Sequence, residues 1–305
     1  MSDRLQPHRG RGRRPRLSDA ETESRMLEAG RRFVAEEGLS LSLEHLSMEE
    51  LIADAGVSRT SSYRRWPTKD AFAADLLLHI ARETRLTSDF AGYADAVRAI
   101  PREAFADIAT EQGRRDAFVA AFRALAAADI EASLGSGTWR SYLMLRAAAG
   151  GLPSGELRTQ VTAALRESER GFTEYRAAAF EAAAAVMGYR LRDPDAIGWS
   201  RLAELLSATF AGLTIQAIAD PEPMLATREC APFGSSQSAP WSLATLACAN
   251  VFFGATEPDP SVTWDDARIA KIVAGLGDLD AMLASFWDAG AARSPGAASP
   301  TVVSG

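Results

Sequence analysis

The chain has little of what catalysis or secretion requires. It contains two cysteines in 305 residues, Cys230 and Cys248, with no metal or redox spacing between them. Such usage argues against a disulfide scaffold and fits a reducing cytoplasm. It has three histidines, His8, His45 and His79, scattered along the chain with no second ligand at metal spacing. No metal and no cofactor are therefore expected. A glycine-rich phosphate loop with its lysine is lacking. The run "LPSGE" around Ser154 is not a Gly-x-Ser-x-Gly elbow, and no strand is expected before it. With no catalytic constellation, an enzyme is not expected. No apolar run approaches the ~18 residues of a membrane span. The charged start has no apolar stretch behind it, so no signal peptide is read. β-branched runs are scarce while alanine is heavy, which predicts helices almost throughout.

Charge is plentiful but unevenly placed. The net charge is −7. Residues 1–16 hold six arginines against one acid, Asp3, a net +5. Residues 1–70 balance at +1, which leaves −8 for the remainder. A basic head on an acidic body suggests that a polyanion meets the head.

The head has helix punctuation at short intervals. Ser18 or Asp19 caps a first helix that Gly38 ends, with Met26, Gly30, Phe33 and Val34 along one face. Ser47 caps "MEELIADA", and Glu50 completes the S-x-x-E capping box. Gly56-Val57 makes a tight turn. Ser58 caps "RTSSYRR", and Trp66-Pro67 stops it. Thr68, Lys69 and Asp70 open a fourth helix. A helix, a Gly-containing turn and a short helix rich in Ser, Thr, Arg and Tyr is the helix-turn-helix pattern. Leu51 and Ile52 face inward in this reading. Arg59, Thr60, Ser61 and Arg64 face outward, toward base edges and phosphates. On pattern alone, an ordinary helical corner with solvated arginines reads equally well.

The full run "SMEELIADAGVSRTSSYRRWPTKDAF", preceded by a helix ending in "RFVAEEG", resembles the TetR (tetracycline-repressor) family of transcriptional regulators. The matching positions are Ser47, Leu51 with Ile52, Ala53, Gly56, Val57, Ser58, Tyr63, Trp66 with Pro67, Thr68, and Lys69 with Asp70. The likeness covers about residues 19–85. Three departures stand out. The corner "LSLSLEHL" is long, Trp66 replaces the commoner Phe, and Ser62 stands where an apolar residue is usual.

The resemblance implies an all-α fold. It divides residues 18–288 into a three-helix DNA-binding domain (18–67) and a helical regulatory and dimerisation domain (68–288), while composition alone reads a flexible basic arm (1–17) and a disordered tail (289–305). It implies a cytoplasmic homodimer that binds a near-palindromic operator in double-stranded DNA and is released by a small molecule. Repression is the family's habit. The alternative is control by a protein partner in place of the ligand. The same likeness assigns phosphate contacts to Ser47, Ser61, Tyr63 and Lys69. Base reading falls to Arg59, Thr60 and Arg64, with Ser58 capping first and touching DNA second. The arm would add affinity and salt dependence.

In the body, two segments offer a dimer interface. Residues 195–219 carry Leu202, Leu206, Phe210 and Leu213 on one face. Ala203, Ser207, Ala211 and Thr214 lie on the other, small enough for close approach by another helix. Residues 241–254 are apolar nearly all round, broken by Asn250. A ligand pocket is expected among Phe118, Phe122, Trp139, Tyr142, Leu143, Arg146, Phe172 and Tyr175, an aromatic stripe that would serve equally as plain core. Residues 221–240 and "TEPDPS" read as loops, and one last helix is expected from Asp265 to about Trp287.

Overall fold

Hydroxyl caps set the starts of the first three helices. A computed structural model describes residues 17–39, 45–83, 90–100, 102–105 and 107–293. The basic arm at 1–16, the middle of the "LSLSLEHL" corner and the tail from 294 lie outside the described residues. Helix α1 (Asp19–Glu37) begins on Ser18, whose Oγ accepts from Glu21 N–H while the Glu21 carboxylate accepts from Ser18 N–H. Helix α2 (Met48–Ala55) begins on Ser47 and α3 (Arg59–Arg65) on Ser58. Between them Gly56 takes φ +64°, a left-handed turn that most side chains resist. Helix α4 (Lys69–Glu83) follows the Trp66-Pro67 stop.

The polar Ser62 is fully buried among these helices. Its hydroxyl donates to Ser58 O at 3.0 Å, so the missing apolar side chain leaves no unpaired polar group. Trp66 is buried edge-on against Phe72, with ring centroids 5.0 Å apart, and its indole N–H donates to Asp75.

The first core does not stop at residue 67. Met26, Leu51, Trp66, Phe72 and Leu76 continue into Tyr142, Leu145, Val161 and Phe172. These last four sit on α7 (Gly137–Ala148) and α8 (Glu156–Val186), which follow α5 (Phe90–Arg98), a single 3-10 turn at Arg102–Phe105 and α6 (Glu111–Gly135). Gly137 lets α7 meet α1 at backbone distance, because a Cβ there would fall 2.3 Å from Ala35 O. Ser168 on α8 donates to Ala81 O of α4 at 2.6 Å. The 31 residues of α8 span about 46 Å and pack on α4 as well as on α9 (Trp199–Ala219) and α13 (Leu279–Arg293).

The second core joins Phe118, Leu202, Leu206, Phe210, Cys248 and Phe252. It is formed where α6 and α8 meet α9 (Trp199–Ala219) and α11 (Leu243–Ala255). Trp139 packs against both cores. Among the described residues the architecture is all-α apart from two short antiparallel strand pairs. β1 (Tyr189–Leu191) pairs with β4 (Thr256–Pro258), and β2 (Thr227–Cys230) pairs with β3 (Ala239–Ser242).

Those strands correct the loop readings. Residues 221–240 form α10 (Pro221–Leu225), β2 and a tight turn through Phe233 and Gly234, both at positive φ. The turn is held from outside. Asp116 on α6 accepts from Ser235 Oγ and from both N–H and Oγ of Ser236. Burial would raise the Asp116 pKa, but these bonds hold its carboxyl below the usual range. Trp241 belongs to β3, not to the helix that follows it, and "TEP" of the second loop is β4. Asp193 stands before α9. It closes one turn by accepting from Ala196 N–H, and α9 begins only after Gly198. The last helix is two, α12 (Asp266–Gly277) and α13 (Leu279–Arg293), separated at Asp278.

The small face expected to meet a second copy is turned inward. Ala203 and Thr214 are buried in the protomer, and Ser207 and Ala211 are half-buried. The free face of α9 is Leu205, Ala208, Gly212 and Ile215, with Leu205 48% and Ile215 44% exposed. Helix α9 is also the exception to the reading that no segment reaches membrane-spanning length. It passes on length and composition, with a third of that stretch buried in the fold.

Candidate nucleic-acid interface and ligand cavity

Helix α3 buries only Ser62. Its sides toward α1 and α2 are occupied, and the rest faces out. Ser58, Arg59, Thr60, Tyr63 and Arg64 are exposed, while Ser47, Ser61 and Lys69 at the edges are half-buried. The eight residues expected to meet DNA thus lie on one corner, on α3 and at the first residues of the helices flanking it. Ser58 is committed to the helix start, where its Oγ accepts from Ser61 N–H at 3.0 Å.

The corner is also self-neutralised. Arg59 and Tyr63 both donate to Glu49 Oε1 of α2, at 2.5 and 2.9 Å. The bond to Glu49 raises the Tyr63 pKa. Arg64 pairs with Asp19, and Arg65 with Glu23 and Asp75. Residues 17–70 carry a net −4 once the arm is set aside. The +5 of residues 1–16 is therefore the only excess positive charge in the head. Sequence reading missed Glu49, which lies ten residues from Arg59 on another helix. The capping pattern around Ser47 marks only its neighbour Glu50.

A prediction follows from Glu49. In the Glu49→Gln protein the repulsion of an incoming phosphate falls and Arg59 is released. Affinity for DNA should rise about three- to tenfold, with the gain largest at low salt. Fluorescence anisotropy over a salt series reads this. Unchanged or weaker binding would mean that Glu49 orients Arg59 for DNA and does not withhold it.

The second feature is a cavity of about 180 Å³ in the body, between α5, α6, α8, α9, α11, α12 and α13. Phe118, Phe122, Phe180, Phe210, Phe252 and Phe286 dominate its wall. Two of the eight expected pocket residues, Phe118 and Phe122, line it. The other six are used elsewhere. Tyr142 is fully buried in the first core and donates to Glu169 at 2.8 Å, and burial beside that carboxylate pushes its pKa up. Arg146 pairs with the same Glu169 at 2.9 Å. Leu143 and Tyr175 are buried away from the cavity, and burial takes the Tyr175 phenol up to about 12. Trp139 stacks on Tyr142, and Phe172 lies under the Arg176 guanidinium.

The polar wall of the cavity was not legible in the sequence. Asp129 of α6 and Arg176 of α8 form an ion pair at 2.7 Å, with side chains only 16% and 11% exposed. Tyr93 donates to the second Asp129 oxygen at 2.8 Å. These residues are far apart along the chain, and nothing local to any of them announces a partner.

No protein-family model matches this chain, and no curated protein sequence matches it.

Proposed function

We propose that the chain is a DNA-binding transcriptional regulator of the TetR type, a repressor that acts in the cytoplasm and is released by a small molecule. One observation carries this reading: a short helix with an exposed Ser-Arg-Thr-Tyr-Arg surface, set on a glycine corner and buried only at Ser62. Such a helix fits the major groove, where arginine meets guanine in a two-pronged contact.

The body supplies what the release step needs. The stretch from Trp139 to Tyr175 is packed into core, which control by a protein partner would favour, whereas the separate cavity on Phe118, Phe122 and Arg176 supports a small ligand. Helix α8 carries the cavity residues Arg176 and Phe180 and also Ser168, which holds α4 about 12 Å further along the helix. A ligand that shifts α8 moves α4 and with it α3. It releases DNA only by binding the released state better, by about 1–3 kcal/mol. In our reading, two protomers meet across the free face of α9 (Leu205, Ala208, Gly212, Ile215) and the adjoining face of α11 (Leu243, Ala247, Asn250, Gly254).

Two substitutions test the head. Arg59→Ala should cost about 1–3 kcal/mol at one base position and relax preference there. Lys69→Ala should weaken all DNA evenly and flatten the salt slope by about one. Selection of binding sites from a random DNA pool separates the two effects. If both proteins select the wild-type sequence with wild-type affinity, α3 is not the reading helix.

A further inference from the structure

The chemistry of the cavity wall narrows the ligand. Apart from Asp129, Arg176 and the Cys248 thiol, the wall is hydrocarbon, phenyl rings and methionine. Burial pushes the Cys248 pKa up to about 11, so it is an uncharged thiol near neutrality. The two charged residues neutralise each other at 2.7 Å, and Tyr93 donates to the Asp129 oxygen that Arg176 leaves. The Arg176 guanidinium lies over the Phe172 and Phe210 rings, 4.4 and 5.5 Å from their centroids. The wall is thus polar at one point and carries no net charge.

We propose that this cavity binds an uncharged molecule about one ring in size, apolar over most of its surface, with a single hydroxyl or carbonyl set against the Asp129–Arg176 pair. This rests on the reading of the body as a ligand sensor. Four observations lead to it. A carboxylate or ammonium ligand would bring a third charge into a site whose two charges already cancel, and an unpaired buried charge is costly. A fully apolar ligand would press hydrocarbon on the guanidinium, which has five N–H donors. The size follows from the volume. An apolar cavity of about 150 Å³ holds benzene, so 180 Å³ admits one ring with a short substituent. The phenylalanine edges and faces suit an aromatic ring.

The test is calorimetric titration of the full-length protein without DNA, near neutral pH. The probes are 4-ethylphenol, acetophenone, ethylbenzene and the 4-ethylbenzoate anion. The expected result is saturable binding of 4-ethylphenol or acetophenone, one per protomer. Ethylbenzene should bind several-fold weaker, and 4-ethylbenzoate at least about tenfold weaker. In the Asp129→Leu/Arg176→Met protein the preference for the polar probe over ethylbenzene should vanish while ethylbenzene still binds. Ala183→Phe, which fills the cavity, should abolish all binding. The wild-type ranking alone decides the matter if either variant fails to fold. Benzoate binding as tightly as the phenol, or no saturable binding of either neutral polar probe, overturns the proposal. Operator binding is measured separately. Intact operator binding with failed probes removes this inference alone. Probe binding by a protein that ignores DNA removes the regulator reading alone.

Discussion

Deletion of residues 1–16 should lower operator affinity about a hundredfold near physiological salt and remove most of its salt dependence. The reason lies in the charges that remain. The head without the arm is net −4, and Arg59, Arg64 and Arg65 are each paired with a carboxylate in the free protein. Those arginines must leave Glu49, Asp19 and Glu23 before they meet phosphate, so their net gain is small. The six arginines of the arm face one acid. Each phosphate they neutralise releases counterions and steepens the salt slope by about 0.9. Four or five such contacts put the loss of slope near four. Sequence preference should survive if α3 supplies the discrimination and the arm supplies affinity alone. Anisotropy titrations of both proteins over a salt series measure the two slopes. An unchanged slope would show that the arm is idle and would leave the phosphate contacts to the folded head alone.

Asp129→Ala should destabilise the protein by about 3–5 kcal/mol, read as a fall in the urea midpoint. The pair is close to nine-tenths buried, with phenyl rings on the Arg176 side. Removing one partner leaves a buried cation without its counter-ion, which costs far more than the pair contributes when intact. Arg176 also sits on α8 two turns beyond Ser168, so its escape toward water would disturb the strut that holds α4. The Asp129→Leu/Arg176→Met protein should recover to within about 1–2 kcal/mol of wild type, since apolar residues of similar volume replace buried ion pairs at little cost. A loss below about 1 kcal/mol for the single variant would mean that water reaches the pair.

Local chemistry made the head legible. Ser18, Ser47 and Ser58 start helices because a side-chain oxygen meets the amide three residues on. Gly56 turns the chain because only it takes φ +64° freely. Long periodic helices were equally plain, as α8 shows. What escaped depends on contacts distant in sequence. The turn at Phe233–Gly234 reads as loop because its anchor, Asp116, lies more than a hundred residues upstream. The inward face of α9 was misjudged because small residues suit packing inside a protomer as well as between two. The candidate cavity was half visible. Phe118 and Phe122 stood on a stripe, but the expected stripe continued into Tyr142, whose hydroxyl is spent on Glu169. Asp129, Arg176 and Glu49 gave no signal, for a charge on a helix reads as solvated until its partner is known.

In the proposed function α3 reads DNA as part of a dimer. The most direct test of this reading is anisotropy binding to the DNA immediately upstream of the coding sequence, at about 150 mM salt with excess competitor DNA, where non-specific contacts are weak. The expected result is tight, competitor-resistant binding with two protomers per near-palindromic site, weakened by Arg59→Ala at one base position in each half-site. Binding that competitor DNA removes in full there, together with a random-pool selection that enriches no sequence, would contradict it.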